Sequence, residues 1–274
     1  MGTDLVQARP RGDIVPAARP HGGMVLSARF LGSFRVTLDH RPVALQSRRT
    51  RVLLAYLVDR GRAPVPRDEL MDVFWPSSTP TAARNSLHVA MWALRRSLAA
   101  AWPGQVIERR GDVYGFSDDV ELWSDVAEMV QRCDRGAAAA ADGQLAEAVE
   151  EYEAARALSG GTYLADDPYL EWALRRRDDL RLRALGCAER LSELYLELGD
   201  VRAAEALCHH VLREEPCHEA VARRLMLAYA RLGQPHRALR EYDRIVHELD
   251  RDLGVRAAPE TVALAEAIRR RAAV

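Results

Sequence analysis

TAARNSLHVAMWALRRSL, residues 81–98, follows Pro80 and carries the pattern from which the rest of the fold is read. At about 100° per residue, Leu87, Met91, Leu94 and Leu98 fall on one stripe, the inward face of an amphipathic helix. Opposite that stripe lie Asn85, Val89, Trp92 and Arg96, with Arg84, His88 and Arg95 on the flanks. An amide, an imidazole and guanidiniums on one helical face match what a DNA duplex offers. Arginine suits guanine or phosphate, asparagine suits adenine, and small apolar groups suit thymine methyls. A merely solvated basic face would show the same pattern, so the neighbouring segments decide between the two.

Upstream, residues 25–45 read as short strands. Leu26, Ala28 and Phe30 alternate, Gly32-Ser33 turns, Phe34, Val36 and Leu38 alternate, Asp39-His40-Arg41-Pro42 turns again, and 43–45 follows as a third strand. Residues 47–60 form a helix built on Val52, Leu53, Tyr56 and Leu57 that stops at Gly61, and 67–74 form a short one after Pro66. Thr81, or Ser78 or Thr79 just before Pro80, is the candidate cap of the third helix. Downstream, 106–110 and 113–116 flank a Gly111-Asp112 turn, a hairpin with Arg109 and Arg110 at its base. Sheet, three helices and hairpin is the order of an α+β winged helix-turn-helix. In that arrangement the third helix enters the major groove and the hairpin lies on an adjacent minor groove or the backbone.

Beyond residue 118 the pattern is helical, with a repeat of 34 residues: Leu191/Leu225, Tyr195/Tyr229, Leu198/Leu232, Gly199/Gly233, Ala204/Ala238 and Val211/Ile245. Large residues fill one helix, glycine turns the pair, and a small alanine admits the next helix. This is the logic of an all-α, TPR-like helical-repeat domain. A looser unit starts near Gly143-Gln144. The domains expected are therefore a disordered tail at 1–23, a winged helix at 24–117 and a helical-repeat domain at 118–274. The periodic pattern starts at Met24, which makes that residue a candidate native start.

Charge follows the same division. Residues 24–117 carry 14 Arg against 7 Asp and Glu, whereas residues 118–274 carry 22 Arg against 31. A net positive first half calls for an anionic partner, and a net negative second half for a protein or solvent face. All 39 basic residues are arginine, so every phosphate contact falls to a guanidinium. No apolar run is long enough for a membrane span, no membrane partner is expected, and the expected address is cytoplasmic. Four cysteines without a CxxC pair read as reduced thiols.

Four stretches, ARFLGSFRV (28–36), RDELMDVFWP (67–76), ARNSLHVAMWALRRSL (83–98) and ERRGDVYGF (108–116), resemble the winged helix of SARP-type bacterial transcriptional activators. The acidic half resembles the bacterial transcriptional activation domain (BTAD) of that family, in YLADDPYLEWALRRRDDLR (163–181), RLSELYLELGD (190–200), EEPCHEAVARRLMLAYARLGQPHRALREYDR (214–244) and ELDRDLGVRAAPET (248–261). The resemblance implies a sequence-specific regulator of transcription, an activator, that binds double-stranded promoter DNA, self-associates on it and contacts RNA polymerase. By position it implies base contacts from Asn85, Ser86, His88, Val89 and Trp92. It implies phosphate contacts from Arg84, Arg95 and Arg96, wing contacts from Arg109 and Arg110, and first-helix backbone contacts from Arg48, Arg49 and Arg51. Many relatives read NTLQVHVSRLRR where this chain reads NSLHVAMWALRR, so the polar trio is replaced at Ala90, Trp92 and Ala93. Trp92 then packs on thymine methyls or the sugar-phosphate wall, or else serves a neighbouring protomer or polymerase.

Enzymatic and metal chemistry find no support in the pattern. Cys208-His209-His210 sit on one helix about 100° apart and do not converge on a metal, and Cys208 occupies the packing slot of Tyr242. Around Asp166, Asp167 and Glu171 there is no nucleophile or metal motif, and capping and inter-helix packing by Tyr169 and Trp172 is the expectation. The run Arg175-Arg176-Arg177, interrupted by Asp178 and Asp179, reads as a solvated or salt-bridged face. No phosphate loop, GxSxG or HExxH occurs, so no cofactor, metal or catalytic residue is expected. The rival function is a protein-interaction adaptor, and the positive charge of the first half argues against it.

Overall fold

The computed structural model describes residues 24–270, and the tail expected at 1–23 lies outside them. The chain divides into two compact units at Ser124/Asp125.

In the first unit, β1 (Met24–Arg29), β2 (Arg35–Leu38) and β3 (Arg41–Pro42) form antiparallel pairs. Met24, Leu26 and Ala28 alternate inward along β1, and the rings of Phe30 and Phe34 pack 4.9 Å apart. The β2–β3 turn is tighter than the sequence implies. Asp39 and His40 alone make it, both with positive φ (43° and 66°), so the third strand begins at Arg41 rather than Val43. Then come α1 (Arg48–Asp59), β4 (Val65–Pro66), α2 (Arg67–Phe74) and α3 (Pro80–Ala101). Ser47 opens α1 with a reciprocal box, its hydroxyl accepting from the Thr50 amide at 3.1 Å and its own amide donating to the Thr50 hydroxyl at 3.3 Å. Every residue from Val52 to Val58 is buried, which makes α1 the helix around which the unit is packed. The Tyr56 hydroxyl donates to Glu69 at 2.6 Å and binds α1 to α2; burial and that carboxylate push the phenol up to about 12.

The hairpin of β5 (Ile107–Arg110) and β6 (Val113–Phe116) pairs Arg110 with Val113 across Gly111-Asp112, and β4 extends it to three strands in the order β4-β6-β5. A seventh strand, β7 (Val120–Ser124), lies parallel to β1 and completes a four-stranded sheet, β3-β2-β1-β7. The first unit therefore runs past residue 117, where the change in charge sets the boundary. The acidic residues Asp118, Asp119 and Glu121 flank or belong to a segment that β1 recruits by backbone hydrogen bonding, which charge does not report.

Among its described residues the second unit has helices alone: α4 (Asp125–Ala141), α5 (Leu145–Leu158), α6 (Glu171–Leu198), α7 (Val201–Glu214), α8 (Glu219–Arg231), α9 (Pro235–Leu253) and α10 (Pro259–Arg269). Gly143, Gly199 and Gly233 turn successive helix pairs with φ of 75°, 84° and 72°, the left-handed region where a side chain is costly. Five residues after each, Ala148, Ala204 and Ala238 are fully buried, and seven further on Ala155, Val211 and Ile245 fill the same depth. The looser unit near Gly143 is thus a third repeat on the same register. Gly136 of α4 answers the same need for close approach, since a β-carbon there would meet the Tyr152 ring at 3.0 Å. Glu219 closes the array, accepting from the Ala258 amide at 2.6 Å and the Thr261 hydroxyl at 2.5 Å at the start of α10.

Three expectations for this unit are corrected. Cys133 on α4 and Cys187 on α6 are joined as a disulfide with α-carbons 6.2 Å apart, although 54 residues separate them in sequence. The packing of α4 on α6 brings them together, and no local spacing announces it. Tyr169 does not pack between helices but stands 90% exposed, because Tyr163 and Leu164 take the buried positions of that loop. Arg177 holds the loop in place through the carbonyls of Tyr163 (3.0 Å), Pro168 (2.8 Å) and Asp167 (3.4 Å) rather than forming part of a solvated face.

Candidate nucleic-acid interface

Helix α3 begins at Pro80 because Thr79 caps it, its hydroxyl accepting from the Ala82 amide at 3.4 Å, with proline preset in the first turn. Ala83, Leu87, Ala90, Met91, Leu94 and Leu98 are buried, and the packing of α3 against α1 and α2 fixes its rotation. The opposite face then has no choice but to face solvent. Arg84, Asn85, His88, Val89, Trp92 and Arg96 are all exposed on it, and Ser86 is half-buried at its edge. Val89 and Trp92 are 67% and 62% exposed. No residue of α3 is acidic.

The guanidiniums around this face divide into two groups. Arg84 and Arg96 form no ion pair among the described residues, and Arg96 lies over the Trp92 ring, 5.4 Å from its centre. Arg95 is half-buried and donates to the Ile107 carbonyl at 3.2 Å, so it joins α3 to the hairpin instead of pointing outward. Arg109 donates to the Gly111 carbonyl at 2.8 Å and meets Asp112 at 3.3 Å. Arg110 lies between Glu108 (2.9 Å) and Asp118 (3.1 Å), whose hydrogen bonds hold its pKa above the ordinary value. The tip of the hairpin is anchored by Arg67, which pairs with Asp112 at 2.8 Å while its amide donates to the Asp112 carbonyl at 2.7 Å. Nothing in the local pattern marks Arg67 for that role, since its partner lies 45 residues away.

At the start of α1, Arg48 and Arg49 are exposed and Arg51 is half-buried, with no acidic residue in the first turn. Cations at a helix N-terminus oppose the macrodipole, so this trio is not explained by helix stability. Among the described residues no three His, Cys, Asp or Glu are arranged to hold a metal. Cys208 is buried, and burial pushes its thiol up to about 11, the state of a packing residue. No helix among the described residues is long and apolar enough to cross a membrane.

A three-helix core presenting one uncommitted cationic helix face, with a hairpin beside it, followed by TPR-like helix pairs, is the architecture of a bacterial transcriptional regulator. The profile of the bacterial transcriptional activator domain matches residues 124–269, just over half of the chain, and the chain belongs to that family, with the SARP-type arrangement of domains. The transcriptional regulatory protein EmbR of Mycobacterium tuberculosis is 28% identical over 243 residues, which cover 88% of this chain and 62% of EmbR. The transcriptional regulatory protein MoaR1 of the same species is 24% identical over 236 residues, covering 85% and 76% of the two chains. The solved structure of Mycobacterium tuberculosis EmbR in complex with a low-affinity phosphopeptide superposes with a TM-score of 0.79 at 27% identity, over 92% of this chain and 66% of that one. The chain thus spans about 62% of the length of EmbR.

Proposed function

We propose that the first unit binds double-stranded promoter DNA with α3 in the major groove, and that the chain activates transcription as a regulator that is not an enzyme. Asn85, His88, Val89 and Trp92 face base edges, with Ser86 at their border. Arg84, Arg96, Arg48 and Arg49 meet phosphates, and the hairpin lies along the neighbouring backbone. The observation that carries this reading is the exposed face of α3, which offers amide, imidazole, apolar and cationic groups without one carboxylate. Arg95 is assigned a different role, holding the hairpin in register with the helix. The acidic second unit, a stack of helix pairs, supplies a surface for RNA polymerase or for a second protomer on adjacent DNA, within the cytoplasm.

The test is binding to random and selected duplexes across a salt series. Four neutralised phosphates imply a slope of log K against log salt of about −3.6, at roughly −0.9 each. Asn85→Ala should relax specificity more than it weakens affinity. A chain that binds no duplex even at low salt overturns the proposal and favours a protein-binding adaptor.

A further inference from the structure

We infer that Val89 and Trp92 together read a pair of neighbouring thymine methyls, with Arg96 fixing the indole for that contact. The inference rests on the reading of α3 as the recognition helix. Val89 and Trp92 lie three residues apart and form one continuous exposed apolar patch on a helix whose other large apolar side chains are buried. The rim of the patch is Asn85, His88 and Arg96, and the 22 residues of α3 include no carboxylate. A partner with its own acidic and basic groups would be met by a rim of mixed sign. A rim of amide, imidazole and guanidinium instead complements a polyanion, and the apolar spots that a DNA major groove displays are thymine 5-methyl groups.

Spacing favours two methyls rather than one. Three residues of α-helix rise about 4.5 Å, at roughly 1.5 Å each, close to the base-to-base step of about 3.4 Å along a strand. Val89 and Trp92 therefore reach successive base pairs. Asn85 continues the same line toward an adenine. The guanidinium carbon of Arg96, 5.4 Å from the indole centre, covers one side of the ring and restricts its rotamer, so less ordering is needed on contact. Arg96 is here a positioning residue as well as a cation.

The experiment selects duplexes with the full chain from a random library, then replaces each thymine of the selected sequence by uracil, which lacks only the methyl. The expected result is two successive positions where uracil weakens binding about four-fold each, and about fifteen-fold together, the scale of one buried methyl per site. Trp92→Ala should lose the discrimination at one of the two positions and keep it at the other, which Val89 reads, and Trp92→Phe should keep part of it at both. Circular dichroism melts should match wild type, because Trp92 is exposed. If a sequence is selected and uracil is tolerated at every position, the inference fails while DNA reading by α3 stands. If no duplex is bound, both fail.

Discussion

Arg95 and Arg96 are adjacent on α3 and serve different partners: Arg95 donates to the Ile107 carbonyl of β5 at 3.2 Å, whereas Arg96 covers the Trp92 ring at 5.4 Å. One cation is committed to holding the unit together and the other stays available to an anion.

That difference separates two substitutions that look equivalent in sequence. Arg95→Ala should lower the melting temperature of the first unit by several degrees, through loss of one hydrogen bond of about 1 kcal/mol. It should leave the salt slope of DNA binding unchanged. Arg96→Ala should leave the melt unchanged and make the slope shallower by about 0.9. Calorimetry and a salt titration on each variant check this, and the reverse assignment of effects would contradict the geometry.

The hairpin arginines are partly neutralised by carboxylates on and beside the hairpin. Asp118 pairs with Arg110 at 3.1 Å from a largely exposed position. Asp118→Asn should release that guanidinium and tighten non-specific DNA binding roughly two- to three-fold at low salt, fading as salt screens it. Unchanged affinity at low salt would remove the hairpin from the interface.

The thiol inventory should be unequal. Under denaturing, non-reducing conditions a maleimide should label Cys208 and Cys217 alone, and all four cysteines after reduction. Closing a loop of 54 residues restricts the unfolded chain. In the chain-entropy account this stabilises by about 4 kcal/mol, so Cys133→Ser should lower the melting temperature of the second unit markedly. Four reactive thiols without reductant would exclude the bond.

Acid should loosen the helix pairs at an identifiable contact. Burial pushes the Glu189 carboxyl up, but Arg224 at 3.0 Å and His218 at 3.1 Å outweigh it and hold the group below its ordinary value. A depressed carboxyl contributes stability that is complete above its unfolded pKa and is lost as pH falls through the folded one. Melts between neutral pH and pH 3 should therefore show an acid loss that is smaller in Glu189→Gln. The same pH profile in both proteins would remove Glu189 from the account.

What was legible in the sequence was whatever is periodic and local. The inward stripe of α3, the Gly111-Asp112 turn and the 34-residue repeat each follow from neighbours a few residues apart or from self-similarity. What escaped depends on partners far along the chain. β7 is a strand because β1 lies beside it, β4 is two residues long and ends in proline, and the bond between Cys133 and Cys187 forms only when α4 and α6 pack. The commitment of Arg95 was equally hidden, because a carbonyl of β5 decides it. Within the candidate interface, the pattern located the exposed face of α3 but did not separate the arginines that are available from those already engaged.

The parallel pairing of β1 with β7 sets where this protein can be cut. A fragment ending at residue 117 keeps α3 and the hairpin but strips one side of β1, leaving a row of unsatisfied amides and carbonyls open to edge-to-edge association. A fragment carried through Ser124 keeps β1 inside the sheet, and those last residues decide whether dissected material stays monodisperse or precipitates.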